Sequence, residues 1–487
     1  MPLSNSNSTK PTVSKLIIGE ANKKRSPAMT TTGKTRSTAR RRVAGVATAP
    51  KSPVAIEDIE DFSPSETLAI RSSLLRWYDG SHRDLPWRMP ITATGGDRNS
   101  EDPAAEDQRA YAVWVSEVML QQTRVHTVIG YFNRWMEKWP TVCDLSTASL
   151  EEVNEMWAGL GYYRRARFLL EGAKVIAENG VFPRSSSALR SVQGIGDYTA
   201  GAIASIAFSE VVPVVDGNVV RVITRLKAIS ANPKESRTVK LIWKLAGELV
   251  DPSRPGDFNQ AIMELGATLC SSTNPNCFKC PVSDQCLAFM LSRQRDNVKV
   301  TDYPTKVAKA KQRNDFAAVC IVEIADGLDE EILSDEHHFL LIKRPENGLL
   351  AGLWEFPSLI LDEASMNQSM RRKEMNKYLR RLFNVDIGGN CKVVLRQDVG
   401  EYVHIFSHIR LKMSVELLVL SLHGGFSVSS EEDQSKLTWK CVNGDSLRKM
   451  GLTSGVRKVY NMALRFKKQL THIPKQIPKK KAKRTTG

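Results

Sequence analysis

No run of apolar residues in the 487-residue chain approaches the roughly 20 needed to cross a bilayer as a helix, so the sequence reads as that of a soluble protein. Acids are nearly missing from both ends. Residues 1–54 carry 11 Lys/Arg against the single acid Glu20, and residues 466–487 carry 8 against none. Between the tails 50 basic residues face 52 acidic ones, so the formal charge of +16 belongs to the tails and does not make the folded part a nucleic-acid binder. Cysteine is scarce outside one place. Four of the eight fall within seventeen residues, which is not the framework of a disulfide-stapled secreted domain. This length holds two or three domains.

The Ser-, Thr-, Lys- and Arg-rich start cannot bury enough apolar surface to fold, and residues 1–62 are expected to form a disordered basic tail. It suits a mitochondrial or plastid transit peptide, or nuclear signals at Lys23–Arg25 and Arg40–Arg42. Lys479–Arg484, in a second basic tail over 466–487, is another nuclear-signal candidate. Solvated tails that add non-specific DNA affinity are the plain alternative. The expected address is the nucleus, with mitochondrion or plastid as further destinations.

The stretch Val192–Val222 separates two helical patterns with Gly194-Ile195-Gly196, a turn able to aim backbone N–H groups at one phosphate. Asp197 reads as the N-cap of the next helix. The extended Val211–Val215 then delivers Asp216 to the start of another helix, either as an ordinary cap or as a catalytic carboxylate. Upstream, an amphipathic helix from Ser63 leads into His82–Arg88, an Arg-rich loop with a Trp that can pack or stack on a base. Residues 89–109 read as a polar surface loop. Tyr111–Thr123 is apolar nearly all round, hence a buried helix, with Glu117 its only charge. A lone buried carboxylate is either paired with a distant Arg or held protonated as a general acid. Trp157–Arg167 is a Gly-x-Gly turn with paired tyrosines and three arginines, fit for a phosphate contact with an aromatic wedge, or for a basic helix face. Cys270-x6-Cys277-x2-Cys280-x5-Cys286 suits zinc or a [4Fe–4S] cluster.

Taken in order, LPWR, SEVMLQQTRV, GLGYYRRAR, GIGDYTAGAIASIAF, VDGNVVRV, FNQAIMELGA and the four-cysteine loop resemble the MutY-type adenine DNA glycosylases of the helix-hairpin-helix superfamily. The resemblance covers about residues 63–290 and continues more weakly through 315–465. It implies a multidomain protein: an all-α helix-hairpin-helix domain over 63–290, a linker over 291–315 and an α+β Nudix-like domain over 316–465. It implies a [4Fe–4S] cluster on Cys270, Cys277, Cys280 and Cys286. The implied substrate is duplex DNA carrying adenine opposite 8-oxoguanine or guanine, with unidentified repair and replication proteins as further partners, no membrane, and a monomeric enzyme.

The same resemblance distributes roles. Glu117 protonates the departing adenine and Asp216 faces the sugar cation, much as two carboxylates do in glycosidases, supported by Tyr198 and Asn218. Related lyases carry a Schiff-base Lys where Tyr198 stands, so the expected enzyme is monofunctional. Arg83, Leu85, Trp87, Arg88 and Gln260 are expected in the adenine pocket. Gln122 and Tyr162 are expected as wedges, with Leu160 nearby and Thr123 at the opposite base, while Gly194 and Gly196 bind phosphate. Two departures stand out: Gln193 occupies a position where the family commonly has Pro, and the 89–109 insertion is long. Residues 287–319 hold no Cys, which argues against a zinc-binding linker.

From Phe316 the periodicity changes to strands at Ala317–Ile324, His338–Lys343, Val393–Gln397, Tyr402–Ile405, His408–Val419 and Leu437–Cys441, with a helix over Met366–Phe383. Arg344–Pro357 resembles the corresponding Nudix segment. The Glu-rich magnesium helix of a Nudix hydrolase is missing, since residues 358–386 offer only Asp362, Glu363, Glu374 and Asp386. Phe406-Ser407-His408 reads as a turn between paired strands. By resemblance it reads 8-oxoguanine through Ser407.

Overall fold

The computed structural model describes residues 59–88, 103–308, 311–325, 337–345, 347–361, 367–383, 385, 387, 389, 391–422 and 438–471. The tail signals at 23–25, 40–42 and 479–484 lie outside the described residues, as do 89–102 of the insertion and Asp362, Glu363 and Asp386.

The amino-terminal lobe is helical: α1 (Pro64–Ser81), α2 (Pro103–Leu120), α3 (Val125–Lys138), α4 (Val142–Ser146), α5 (Leu150–Trp157), α6 (Arg164–Asn179), α7 (Ser186–Leu189), α8 (Asp197–Phe208), α9 (Gly217–Leu226), α10 (Ser236–Leu249), α11 (Pro255–Ala267) and α12 (Leu287–Gln294). Ser63 starts α1 in a reciprocal capping box with Glu66. Helix α2 begins at Pro103, so the last part of the expected 89–109 loop is helical, and it ends at Leu120 rather than running to Thr123. Its apolar surround is explained by position. Tyr111, Trp114, Val115 and Met119 are buried with Trp135, Trp157, Leu169 and Ile203 in one core. A second core joins α1, α9, α10 and α11 through Ile70, Leu74, Ile223, Leu245, Phe258 and Leu265. Met263 packs against both cores. Glu117 belongs to the first body and Asp216 opens a helix of the second, so the seam between two separately packed units holds the carboxylate pair.

The carboxy-terminal lobe is a seven-stranded mixed sheet: β1 (Arg313–Ala325), β2 (His338–Lys343), β3 (Trp354–Glu355), β4 (Ser358–Leu361), β5 (Cys391–Ile405), β6 (Ile409–Leu422) and β7 (Trp439–Asn443). The main path runs β3-β2-β1-β6-β5, with β4 on β1 and β7 on β2. The long β1 and β6 pair in parallel from Arg313↔Ile409 to Ala325↔Ser421. Both are buried on their two faces, which is why their sequences are nearly continuous apolar runs. Helix α13 (Gln368–Phe383) covers one face through Met375 and Leu379. Helices α14 (Gly444–Lys449) and α15 (Ser454–Thr471) cover the other through Leu447, Val459, Tyr460 and Ala463. The two strands expected at 393–397 and 402–405 are one strand, irregular at Val393/Leu395 and Asp398/Gly400, where register shifts break the periodicity.

Residues expected in the tail after 465 belong to this lobe. Lys467 is buried and donates at 2.5 Å to the equally buried Glu323, which also meets His337 Nδ1 at 2.6 Å. The expected linker 291–315 is likewise partly built into the fold, since α12 runs to Gln294 and Arg225 Nε donates to the Tyr303 carbonyl at 3.1 Å. The lobes pack directly on each other. Leu353 is buried in the α2-centred core, and Tyr163 Oη donates to the Leu452 carbonyl at 3.4 Å.

Candidate active site

Glu117 is 6 % exposed and points from α2 toward α8, where the Tyr198 hydroxyl donates to its Oε2. Burial raises its pKa to about 7; the Tyr198 bond and the Arg88 charge oppose that rise, and the Asp216 charge adds to it. Near neutral pH much of Glu117 therefore carries its proton. Tyr198 is held far above the ordinary phenol range, first by burial and then by the two carboxylates. Its charge balance thus links both acids to one hydroxyl.

Asp216 is the N-cap of α9. Its Oδ1 accepts from the backbone N–H of Asn218 at 2.9 Å and of Val219 at 2.7 Å, and Oδ2 accepts from Asn218 Nδ2 at 2.7 Å. Asn218 is itself steadied by Arg221 Nη2 at 2.8 Å. These bonds favour the anion. Burial outweighs them, and the Asp216 pKa lies above the ordinary value. The helix terminus alone would make this carboxylate more acidic; desolvation reverses the sign. The extended segment before Asp216 is pinned by Asn259, whose Nδ2 donates to the Val212 carbonyl at 2.8 Å and to Ser205 Oγ at 2.9 Å.

The His82–Arg88 loop is fastened from α11. Glu264, 1 % exposed, takes Arg83 Nε at 2.6 Å and Nη2 at 2.8 Å, and Arg88 Nη2 at 2.9 Å. Leu85 and Trp87 are buried, with Trp87 edge-on to Phe132 at 5.4 Å. Gln260 is buried one turn before Glu264 on α11.

The hairpin before α8 contains a tight turn. Ile195 N–H donates to the Val192 carbonyl at 3.1 Å with Gly194 at φ +89°. A positive φ at the third position is the type II requirement, and glycine meets it. Gln193 stands exposed at the second position, where proline is favoured but not needed, so the turn forms without it. Gly196, not Asp197, is the N-cap of α8; Asp197 is the first helical residue and pairs with Arg190 Nη1 at 3.0 Å.

Between the lobes lies a cleft of about 820 Å3. One wall carries Gln122, Gly161, Tyr162 and Gly194; the other carries Phe406, Ser407, His408 and Asn347–Ala351. Tyr162 is 49 % exposed, and Ser407 sits on a short turn in which Phe406 N–H donates to the Ile409 carbonyl at 2.8 Å. Leu160 and Thr123 are not in this lining; Leu160 is buried in the core, and Thr123 Oγ1 reaches back to the Gln121 carbonyl at 3.4 Å. The carboxylates also lie outside the lining, on the side of α2 facing α8.

Residues 115–248 match the HhH-GPD superfamily base excision DNA repair protein model, and residues 331–462 match the NUDIX domain model. An adenine DNA glycosylase of Arabidopsis thaliana is 56 % identical over 438 residues, covering 85 % of this chain and 67 % of that protein. That of Mus musculus is 40 % identical over 433 residues, covering 82 % and 78 %. The chain belongs to the adenine DNA glycosylases. Among solved structures, a thermostable thymine-DNA glycosylase superposes with a TM-score of 0.40 at 26 % identity, covering 47 % of this chain and 98 % of that one.

In this glycosylase the cysteine loop follows α11. Cys270, Cys277, Cys280 and Cys286 border one small apolar cavity with Phe289 and Val300, and none forms a disulfide. Burial first, then the neighbouring thiols, push Cys280 up to about 12 and Cys286 up to about 11, so thiolates at these two positions require a cation. Arg225, 1 % exposed, donates to Cys270 Sγ at 3.1 Å and to the Ser271 carbonyl at 2.7 Å. Among the described residues no three His, Cys, Asp or Glu side chains close on a site for a single ion.

Two residues of this site escaped the sequence reading. Glu264 is the only charge in Phe258–Cys270, the same signal that singled out Glu117. Arg165 is one of the three arginines of Trp157–Arg167, and only its contacts distinguish it: its guanidinium donates to the carbonyls of Val118, Gln121 and Gly161, beside Gln122 and Tyr162.

Proposed function

We propose that this glycosylase removes adenine mispaired with 8-oxoguanine, and with guanine, by hydrolysis and without cutting the strand. The observation that carries the chemistry is the buried Glu117 bonded to Tyr198, raised to about 7, beside a second carboxylate on a helix terminus. Glu117 gives its proton to the departing base. Asp216, as a carboxylate oriented by Asn218, faces the oxocarbenium-like sugar until water adds to it and gives its proton to the Glu117 carboxylate. Tyr198 fills the place where a lyase needs an amine; a phenol forms no Schiff base, so the product is an intact abasic site.

Gln122 and Tyr162 enter the stack as the adenine turns out, at a cost of a few kcal/mol. Ser407, across the cleft, contacts the damaged base. Arg83, Arg88, Leu85, Trp87 and Gln260 shape the base pocket, and the Gly194–Gly196 turn takes one phosphate. In the carboxy-terminal lobe α13 carries Arg371, Arg372, Lys373, Arg380 and Arg381 where magnesium-binding carboxylates would be needed, which weighs against nucleotide hydrolysis.

The four cysteines suit a [4Fe–4S] cluster, as the family resemblance implies, because they ring one small apolar cavity and a buried guanidinium balances added negative charge. When bound, the cluster would tie the 270–286 loop into a rigid unit. Nuclear targeting, with mitochondrial or plastid delivery as alternatives, follows from the basic tails; fluorescent fusions with and without residues 1–54 and 479–484 test it. The activity test uses purified protein and duplexes carrying A:8-oxoG, A:G, A:C and A:T. Adenine release is expected fastest opposite 8-oxoguanine and abolished by Glu117→Gln or Asp216→Asn. Equal release from A:T would refute the substrate assignment, and strand scission before alkali treatment would refute the monofunctional one.

A further inference from the structure

Arg165, at the start of α6, binds carbonyls from two separate loops. Nη1 donates to Val118 at 2.7 Å, Met119 at 3.2 Å and Gln121 at 2.6 Å, the free end of α2. Nη2 donates to Leu160 at 3.4 Å and Gly161 at 3.1 Å, in the loop before α6. The guanidinium lies 5.2 Å from the Trp157 ring and 5.5 Å from the Tyr162 ring. Among the described residues no carboxylate pairs with it, and burial lowers its pKa to about 10.

The carbonyls it takes are not arbitrary. Gln122 and Tyr162 both stand in left-handed backbone, at φ +57° and +48°. Such backbone is disfavoured for residues that carry a side chain unless their surroundings hold it. The carbonyls of Gln121 and Gly161 belong to the peptide units directly preceding these two residues, and one guanidinium grips both. The same cation holds the carboxy-terminal turn of the helix that bears Glu117.

We propose that Arg165 is a positioning residue that yokes the Gln122 and Tyr162 turns into one rigid wedge and sets that wedge at a fixed distance from Glu117. Adenine extrusion and proton donation are thereby aligned by a side chain that touches neither base nor sugar. The inference rests on the wedge roles proposed above. Lysine at 165 keeps the charge but cannot reach both loops with a planar fork.

The test compares two duplexes in single turnover, one with adenine paired in A:8-oxoG and one with adenine opposite an abasic site, where no pair must open. Arg165→Lys is expected to slow the paired substrate by about tenfold or more and the unpaired one by less than about threefold, because the unpaired adenine leaves the stack without a base pair to break and so leans less on the wedge. Gly161→Ala serves as the second variant should Arg165→Lys fail to fold. Its added methyl meets nothing within 4 Å, but φ +73° disfavours alanine and loosens the gripped carbonyl. It should reproduce the same substrate-selective loss. In a Glu117→Gln background, 2-aminopurine at the adenine position should gain less fluorescence on binding when Arg165 is Lys. Equal losses on both duplexes, or none on either, would overturn the proposal. Wild-type protein that released no adenine from any duplex, yet showed Arg165-dependent fluorescence, would sink the proposed activity and leave the wedge inference standing.

Discussion

Tyr198 donates its hydroxyl hydrogen to the buried carboxylate of Glu117, and so opposes the desolvation that raises that acid to about 7. The bond favours the ionised form, so removing it raises Glu117 further. Tyr198→Phe is expected to shift the alkaline limb of the single-turnover pH–rate profile upward, by up to about one unit. Rates measured from pH 5 to 9 on an A:8-oxoG duplex check this. A limb that stays in place would mean another group titrates there.

The same shift has a consequence for stability. The folded-state pKa of Glu117 lies above its ordinary value of 4.5. Its contribution is therefore fully present below about pH 4.5 and is lost as pH rises through about 7, to a depth of up to about 3 kcal/mol. Glu117→Gln removes that loss. The inactive variant should exceed wild type in Tm at pH 8 by more than it does at pH 5.

Glu264 is sealed between Arg83 and Arg88, and desolvation of its carboxylate is overcome by the two guanidiniums, which leave its pKa below the ordinary value. Glu264→Gln leaves two cations facing a neutral group and is expected to cost roughly 2–3 kcal/mol, less than for a fully enclosed pair because Arg83 still meets water. Urea denaturation measures this, and adenine release should fall with it as the 82–88 loop loosens.

The lobes touch at a place that tolerates no side chain. A Cβ on Gly451 would lie 2.5 Å from the Glu155 backbone nitrogen and 2.6 Å from the Asn154 carbonyl carbon. Gly451→Leu is expected to push the carboxy-terminal lobe off α5 and widen the cleft. The rate advantage for 8-oxoguanine over guanine should shrink by about fivefold or more, a differential contact worth about 1 kcal/mol. Ser407→Ala should shrink the same ratio without altering release opposite guanine. Ratios unchanged in both variants would separate the sheet lobe from damage reading.

Much of this protein could be read from its residues. Periodicity located the helices and most strands, because buried faces impose a spacing of 3.6 or 2 on apolar residues. A lone charge in an apolar helix marked Glu117, since an unpaired buried carboxylate is too costly to be incidental. Other features needed the fold. Whether Asp216 sits below or above its ordinary pKa depends on burial by elements distant in sequence, which the cap motif does not report. The tail boundary at 465 missed Lys467 because a lysine reads as solvated until Glu323, 144 positions away, is found beside it. Gln193 looked like a flaw in the hairpin until the φ of Gly194 showed where the turn's requirement lies. Local chemistry is written in neighbouring residues, so the sequence by itself determined the candidate carboxylates, the cysteine loop and the two lobes. Long-range contact is not, so only the tertiary structure decided the Arg165 yoke, the Glu264 clasp and the cleft that sets Ser407 opposite Tyr162.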